Sequence, residues 1–270
     1  MSMTEGTATP RWVDRVLTIN GWVVFLFLYL PILVLVGYSF SGSSTVGIWG
    51  GFSFQWYRQM FANEALMDSL RNSLVVALIS TVVATVLGTA AGIAIDRYRR
   101  WIGRRSFDAL LYLPVIIPDV TMAIMLLLWF TTINMALGLN TIIISHIAFN
   151  ISFVAIVVRS RLAHLDPSLE EAAMDLYASR WQTFRRVTLP LIMPGVLGGA
   201  LLALTLSLDD VVITQLVQGP GATTLPVFVF GLIKRSVTPE INAVSTVMLI
   251  ASMVLVFVSL GFQRRGERYD

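Results

Sequence analysis

Asp209 and Asp210 stand side by side in Leu204-Thr-Leu-Ser-Leu-Asp-Asp-Val-Val-Ile-Thr214, a run otherwise apolar enough to lie in hydrocarbon. A carboxylate at the centre of a membrane span costs about 2.5 to 3.5 kcal/mol even on lenient insertion scales, so such residues face a cavity or a partner and mark a pathway. Successive helical residues project about 100° apart, so both cannot point down one pore. One faces the path while the other bonds a neighbouring helix. Asp119 is a third such acid, preceded by Pro118 and, one turn earlier, by Pro114, a spacing that breaks or kinks its helix. It either faces the path or, with Pro118 as first residue of a new helix, satisfies freed backbone donors. His146 and Asn150 share a helix face at i and i+4. Interhelical hydrogen bonding is their expected role, with substrate contact as the alternative.

Paired membrane aspartates also serve proteolysis or hold magnesium for prenyl transfer, but neither pattern completes itself here. No G-x-G-D sequence occurs, and Asp209-Asp-Val-Val-Ile213 lacks a third acid. Cysteine is absent, and His146 and His164 form no pair at metal-ligand spacing, so no metal centre is expected.

The elements that must position these residues are membrane helices. The 270 residues are 56% hydrophobic and only 13% charged, too apolar for a soluble domain. Segments long enough to cross about 30 Å of hydrocarbon lie near 20–40, 72–95, 108–133, 141–163, 191–217 and 243–262, which predicts an all-α membrane protein of six transmembrane helices in one domain over 1–270. The first stretch exceeds a signal peptide's apolar core and no cleavage site follows, so it is a retained span. With the N-terminus inside, 15 of the 19 basic residues fall on inside segments, among them Arg97, Arg99, Arg100, Arg104, Arg105, Arg159, Arg161 and Arg268. Both termini are therefore expected in the cytoplasm, and the basic pI reports topology, with no nucleic acid implied. A straight fifth span puts Asp209 about 25 Å from its inner end, and Asp119 lies about 17 Å along the third. Of the outer loop over 41–71, Trp56 and Tyr57 read as interfacial anchors, with ligand contact as the alternative. The stretch from Pro226 to Ile233 is too short to span and is interfacial or re-entrant. Ala84, Gly88 and Gly92, four residues apart, predict a close helix contact.

Between spans four and five lies the longest inside segment, 166–190. Leu169, Ala172, Ala173 and Leu176 fall at i, i+3, i+4 and i+7, while Glu170, Glu171 and Asp175 face elsewhere. The helix starts either at Asp166 with Pro167 or at a Ser168 and Glu171 capping box. Ser179 with Gln182 gives a second capping box, followed by a Trp181, Phe184 and Val187 stripe. Two short helices at a bend suit docking into another protein's groove; the alternative is a membrane-surface helix, disfavoured by three acids facing an anionic leaflet.

Glu171-Ala172-Ala173, followed at the expected spacing by Val187-Thr-Leu189-Pro190, resembles the EAA loop of binding-protein-dependent ABC importer permeases, with pattern E-A-A, three residues, G, nine residues, I-x-L-P. Tyr177 stands where that family has Gly, and a left-handed bend there would cost a non-glycine residue about 1 kcal/mol. The resemblance implies a MetI-like fold and a loop that inserts into a cleft on an ATPase subunit, with Glu171, Ala172, Ala173, Tyr177, Leu189 and Pro190 as coupling residues. The chain has no G-x-x-x-x-G-K-[ST] sequence, so ATP and Mg are expected on a partner chain, and no cofactor on this one. Pro118-Asp-Val120, Ser145-His-Ile147, Thr205-Leu-Ser-Leu-Asp-Asp-Val-Val212 and Gly219-Pro-Gly-Ala-Thr-Thr-Leu-Pro226 resemble the spermidine/putrescine importer permeases of the PotC and PotI type over about residues 20 to 262. That likeness implies a polyamine transport function in a bacterial inner (plasma) membrane. It implies as partners a second homologous permease, an ABC ATPase dimer and a periplasmic or lipid-anchored polyamine-binding protein. Another cationic amine or an opine is the alternative cargo. A polycation fits the acids: its ammonium groups need carboxylates spaced along the path, Asp119 on one helix with Asp209 or Asp210 on another, with aromatic faces such as Trp56 adding about 0.5 to 2 kcal/mol each. A self-contained ion-coupled transporter would show an internal repeat, which is not evident, and would leave the EAA loop without a role.

Overall fold

A computed structural model of the protein describes residues 11–98, 102–235 and 238–266, so Arg99, Arg100 and Arg268 of the expected basic ends lie outside the described residues. The described chain is helical: α1 (Arg11–Tyr38), α2 (Gln55–Ala62), α3 (Glu64–Arg97), α4 (Arg104–Ile116), α5 (Asp119–Thr132), α6 (Leu139–Leu162), α7 (Ser168–Asp175), α8 (Arg180–Thr183), a π segment (Phe184–Thr188), α9 (Leu189–Asp209), α10 (Val212–Val217), α11 (Leu225–Arg235) and α12 (Pro239–Gly266). Among the described residues, four helices are each long and apolar enough to cross a membrane, and the bent pair α4 and α5 would make a fifth.

The chain divides into two compact units, Met1–Ala62 with Ser236–Met248 and Asn63–Arg235 with Leu249–Asp270. In the first, the apolar face of α1 is exposed all round, as expected of a helix made for lipid or for another membrane helix. The following loop is fixed by its own aromatic residues. Trp56 donates its indole N–H to the Ser41 carbonyl at 2.8 Å, and the Tyr57 hydroxyl lies 2.7 Å from Ser39 Oγ. Phe40, Phe52, Phe54 and Tyr57 stack around one another beside them.

The second unit is built on a close-packed trio of α3, α6 and α9. Small residues permit the approach: a Cβ on Gly88 would lie 2.7 Å from Val154 Cβ and 2.8 Å from the Ile151 carbonyl oxygen, and on the other flank one on Gly199 would lie 3.2 Å from Val154 Cα. Val154 is thus a wedge between two glycines. The expected contact through Ala84, Gly88 and Gly92 is present, and α9 carries a matching buried series, Gly195, Gly199, Ala203 and Ser207. Gly88→Ala should therefore destabilise the purified permease by about 1 to 3 kcal/mol through overpacking. Gly198→Ala, whose Cβ would meet nothing nearer than 3.9 Å, should be neutral or gain up to about 1 kcal/mol. Thermal unfolding of the two variants in detergent checks the opposite signs.

Two expected spans are not single rods. Pro118 forces Ile117 into extended backbone, ψ 134°, and α4 and α5 meet at a bend of 114°. The break is the one predicted, but Pro118 caps α5 instead of opening it, and the carboxylate of Asp119 makes no capping bond. Depth reckoned along one straight helix does not apply to Asp119. The fifth span was expected to run unbroken over 191–217. It stops at Asp209, Asp210 is extended with φ −69° and ψ 129°, and the chain resumes as α10.

Candidate functional site

The break in the fifth span separates the two adjacent acids. Asp210 turns inward, its side chain only 10% exposed, where Oδ2 accepts the backbone N–H of Thr214 at 2.8 Å and its hydroxyl at 2.7 Å. Oδ1 accepts the N–H of Ile213 at 3.3 Å. The carboxylate thus satisfies the first free donors of α10, the role that Asp plays at helix starts. His146 is fully buried on α6, its Nε2 3.0 Å from Thr214 Oγ1 and 3.4 Å from Asp210 Oδ2, its Nδ1 2.6 Å from Ser207 Oγ. Ser207 in turn lies 3.2 Å from Ser80 Oγ. With a proton on Nε2, His146 donates to Thr214 and Thr214 to Asp210. One buried polar network therefore ties α3, α6, α9 and α10 together. His146 is the interhelical partner expected of it, whereas both polar atoms of buried Asn150 lack a hydrogen-bond partner among the described residues.

Asp209 has the opposite surroundings. It is exposed, no hydrogen bond or ion pair holds its carboxylate among the described residues, and it is the last residue of α9, where the helix dipole disfavours negative charge by about 0.3 to 1 kcal/mol. Asp119 is also exposed, in the first turn of α5, where the dipole favours it. Asp119 opens α5 and Asp209 ends α9, and both helices reach one apolar cluster, α9 through Leu206. Ala123 of α5 and Ile213 of α10 are buried in one apolar cluster, with Met122 and Val212 packed against it. Trp56 lies in the other unit, its N–H engaged within its own loop.

The 166–190 segment folds as two short helices at a bend. Asp166, not a Ser168 and Glu171 box, starts the first: its Oδ1 accepts the N–H of Ser168 at 2.9 Å, which holds the Asp166 carboxyl below the usual range. The capping box of Ser179 with Gln182 is present in both directions. Helix α7 ends in a Schellman motif, with Ala178 N–H bonded to the Ala173 carbonyl and Tyr177 N–H to that of Met174. Tyr177 occupies its left-handed position at φ +63°, with the ring 97% exposed. Tyr177→Gly should raise stability by up to about 1 kcal/mol and leave coupling intact. Denaturation of the purified permease and transport per ATP check both halves; a drop in transport per ATP would mean that the ring itself packs on the partner.

No residue of α7 is buried, and Leu169, Leu176 and Trp181 stand at 46%, 81% and 66% exposure. Glu171 and Ala172 are exposed, Ala173 is half-buried, and Pro190 is exposed where α9 begins. Leu189 instead packs on the core cluster around Val158 and Ile192. Behind α7 lies a cavity of about 780 Å³ lined by Asp96, Arg97, Glu170, Met174, Thr183 and Phe184. Sequence reasoning missed the group at its edge. Glu170 Oε1 pairs with Arg97 at the end of α3 and accepts the Thr188 hydroxyl at 2.6 Å, and Arg97 also reaches Thr188 Oγ1 at 3.3 Å. Partial burial raises the Glu170 carboxyl and the Arg97 and Thr188 bonds outweigh it, so its pKa is lowered. The pairing is present at neutral pH and is lost in acid, as pH falls through that lowered value. A second ion pair, Arg159 with Asp108 at 2.6 Å, joins α6 to α4, with Tyr112 beneath the guanidinium.

Residues 84–268 match the family described as binding-protein-dependent transport system inner membrane component. The chain is 42% identical over 250 residues to the putrescine transport system permease protein PotI of Escherichia coli K12, covering 90% of this chain and 89% of that one. It is 37% identical over 246 residues to the spermidine/putrescine transport system permease protein PotC of Haemophilus influenzae, covering 91% and 95%. Among solved structures, a chain of a bacterial ABC transporter that imports alginate superposes with TM-score 0.75 at 19% identity, covering 94% of this chain and 96% of that one. A chain of the MetNI methionine ABC transporter gives TM-score 0.60 at 18% identity over 75% and 94%. At such identities the structural likeness concerns the fold, which these importer chains share with this one.

Proposed function

Because the chain belongs to the family of binding-protein-dependent transport system inner membrane components, we propose that it is the permease subunit of an ATP-driven importer that carries polyamines such as putrescine and spermidine into the cytoplasm. It is a multi-pass inner-membrane protein, and family membership implies an ATPase and a substrate-binding protein as partners. In this proposal the full assembly also has a second, homologous permease and two ATPase copies that bind ATP and Mg. The chain crosses the membrane six times with both termini in the cytoplasm. The two ion pairs support that topology, because Arg97 of α3 binds the 166–190 loop and Arg159 of α6 binds Asp108 of α4, both at arginine-rich helix ends.

The observation that carries the substrate reading is the contrast between the two adjacent acids. Asp210 is committed to its own helix start and to His146, whereas Asp209 is exposed with no hydrogen bond or ion pair among the described residues. An acid kept in an apolar run without a structural partner needs a cationic visitor, and Asp119 supplies a second carboxylate for the far end of a diamine. Asp210 and His146 position this pair. Asp209→Asn should leave the complex assembled and its ATPase active while labelled putrescine uptake falls at least about tenfold, one charge-assisted contact being worth about 1.5 to 3 kcal/mol. Parental uptake in both Asp209→Asn and Asp119→Asn would overturn the substrate role of the acids.

A further inference from the structure

Helix α7 is presented to a partner, yet no apolar residue of it is buried against the rest of the permease. None of its residues is buried, and its Leu169 and Met174 and the following Leu176 are at least two-fifths exposed. A helix so loosely packed would move under a partner's push without moving the spans behind it. Among the described residues, the side-chain hydrogen bonds from α7 to the spans run through a single carboxylate oxygen. Oε1 of Glu170 binds Arg97, the last residue of α3, and Thr188, the last residue of the π segment that leads into α9. Thr188 is 1% exposed, so this hydroxyl is anchored in the body of the unit and not on its surface. The Glu170 side chain is itself 20% exposed, which spares the pair full solvent screening.

We propose that Glu170 is the positioning residue that transmits movement of the coupling loop to the permease, by tying α7 at once to the end of α3 and to the start of the fifth span. The neighbouring Glu171, about 100° further round the helix, is exposed and serves the partner. The two adjacent acids divide the work: one faces outward to the ATPase and one inward to the spans. The π segment suits the inward link, because its wider turn, closed by Leu189 N–H on the Phe184 carbonyl, offers α9 an alternative register to move into. The inference rests on the docking role assigned to the 166–190 loop.

The test uses the complete complex in proteoliposomes and reads polyamine transported per ATP hydrolysed, beside copurification of the ATPase. Glu170→Gln and Thr188→Val should each lower transport per ATP by about tenfold, with the ATPase copurifying at the parental level. Combining them should cost little more than either alone, since both break one contact. The reversed pair, Arg97→Glu with Glu170→Arg, should recover most of the loss. Parental transport per ATP in both single variants would overturn the proposal, as would loss of ATPase copurification in Glu170→Gln, which would make Glu170 a docking residue. Thr188→Val keeps the side-chain volume and deletes only the hydroxyl, so it answers alone if the charge variants lose yield. Glu171→Lys run in parallel separates the two levels. If it leaves ATPase binding and transport intact, the docking role fails; if it uncouples while Glu170→Gln does not, the internal link alone fails.

Discussion

Asp210→Ala collapses the junction between α9 and α10 and removes about 2 to 4 kcal/mol of stability, enough to lose most of the assembled permease. The carboxylate answers the N–H groups of Ile213 and Thr214 and the Thr214 hydroxyl, and it stands beside His146 Nε2 with only a tenth of its side chain exposed. Alanine strands all of them at once. Asn is milder, because its single oxygen can take the place of Oδ2 on Thr214 and give up only the longer bond to Ile213, for about 1 kcal/mol. Purification yield and unfolding in detergent should therefore rank parent, Asp210→Asn and Asp210→Ala in that order. An Asp210→Ala permease as stable as the parent would show that the polar network does not hold the broken span.

Glu171→Lys produces the second large effect, and it acts across the interface. The side chain is exposed in the first turn of α7 with no ion pair or hydrogen bond of its own among the described residues, so charge reversal costs the isolated permease only about 0.3 to 1 kcal/mol in the helix dipole. Reversing a charge at a docked contact costs about 2 to 5 kcal/mol. The permease should accumulate normally while transport falls at least about thirtyfold, with weakened copurification of the ATPase. Normal uptake and normal copurification would mean that the loop docks elsewhere.

These two expectations show where sequence spacing was enough and where it was not. The fixed interval from Glu171-Ala172-Ala173 to Leu189-Pro190 located the bend, and the left-handed Tyr177 sits where the pattern puts glycine. Local signals of that kind, such as the Ser179 box and the Pro118 break, act within a few residues and are legible in one dimension. The division of labour between Glu170 and Glu171 was not legible, because it depends on Arg97, 73 residues away, and on Thr188. Likewise Asp210 and Asp209 look alike in a string of letters. What separates them is His146, whose partners Ser207 and Thr214 lie 61 and 68 residues further on, and a helix break that apolar residues on both sides conceal. An Asp followed four residues later by Thr was the available hint that Asp210 starts a new helix. The Gly195, Gly199, Ala203 and Ser207 series was equally readable, at the same interval as the series on the second span.

The most direct test of the central claim is uptake by the proposed four-component complex, permease pair, ATPase and binding protein, reconstituted in proteoliposomes. Labelled putrescine or spermidine should enter only with ATP on the ATPase side, unlabelled polyamines should compete, and 1,4-butanediol, which keeps the carbon chain but carries no charge, should not. Uptake that follows a proton gradient without ATP, or that the uncharged diol suppresses as well as the diamine does, would contradict an ATP-driven polyamine permease.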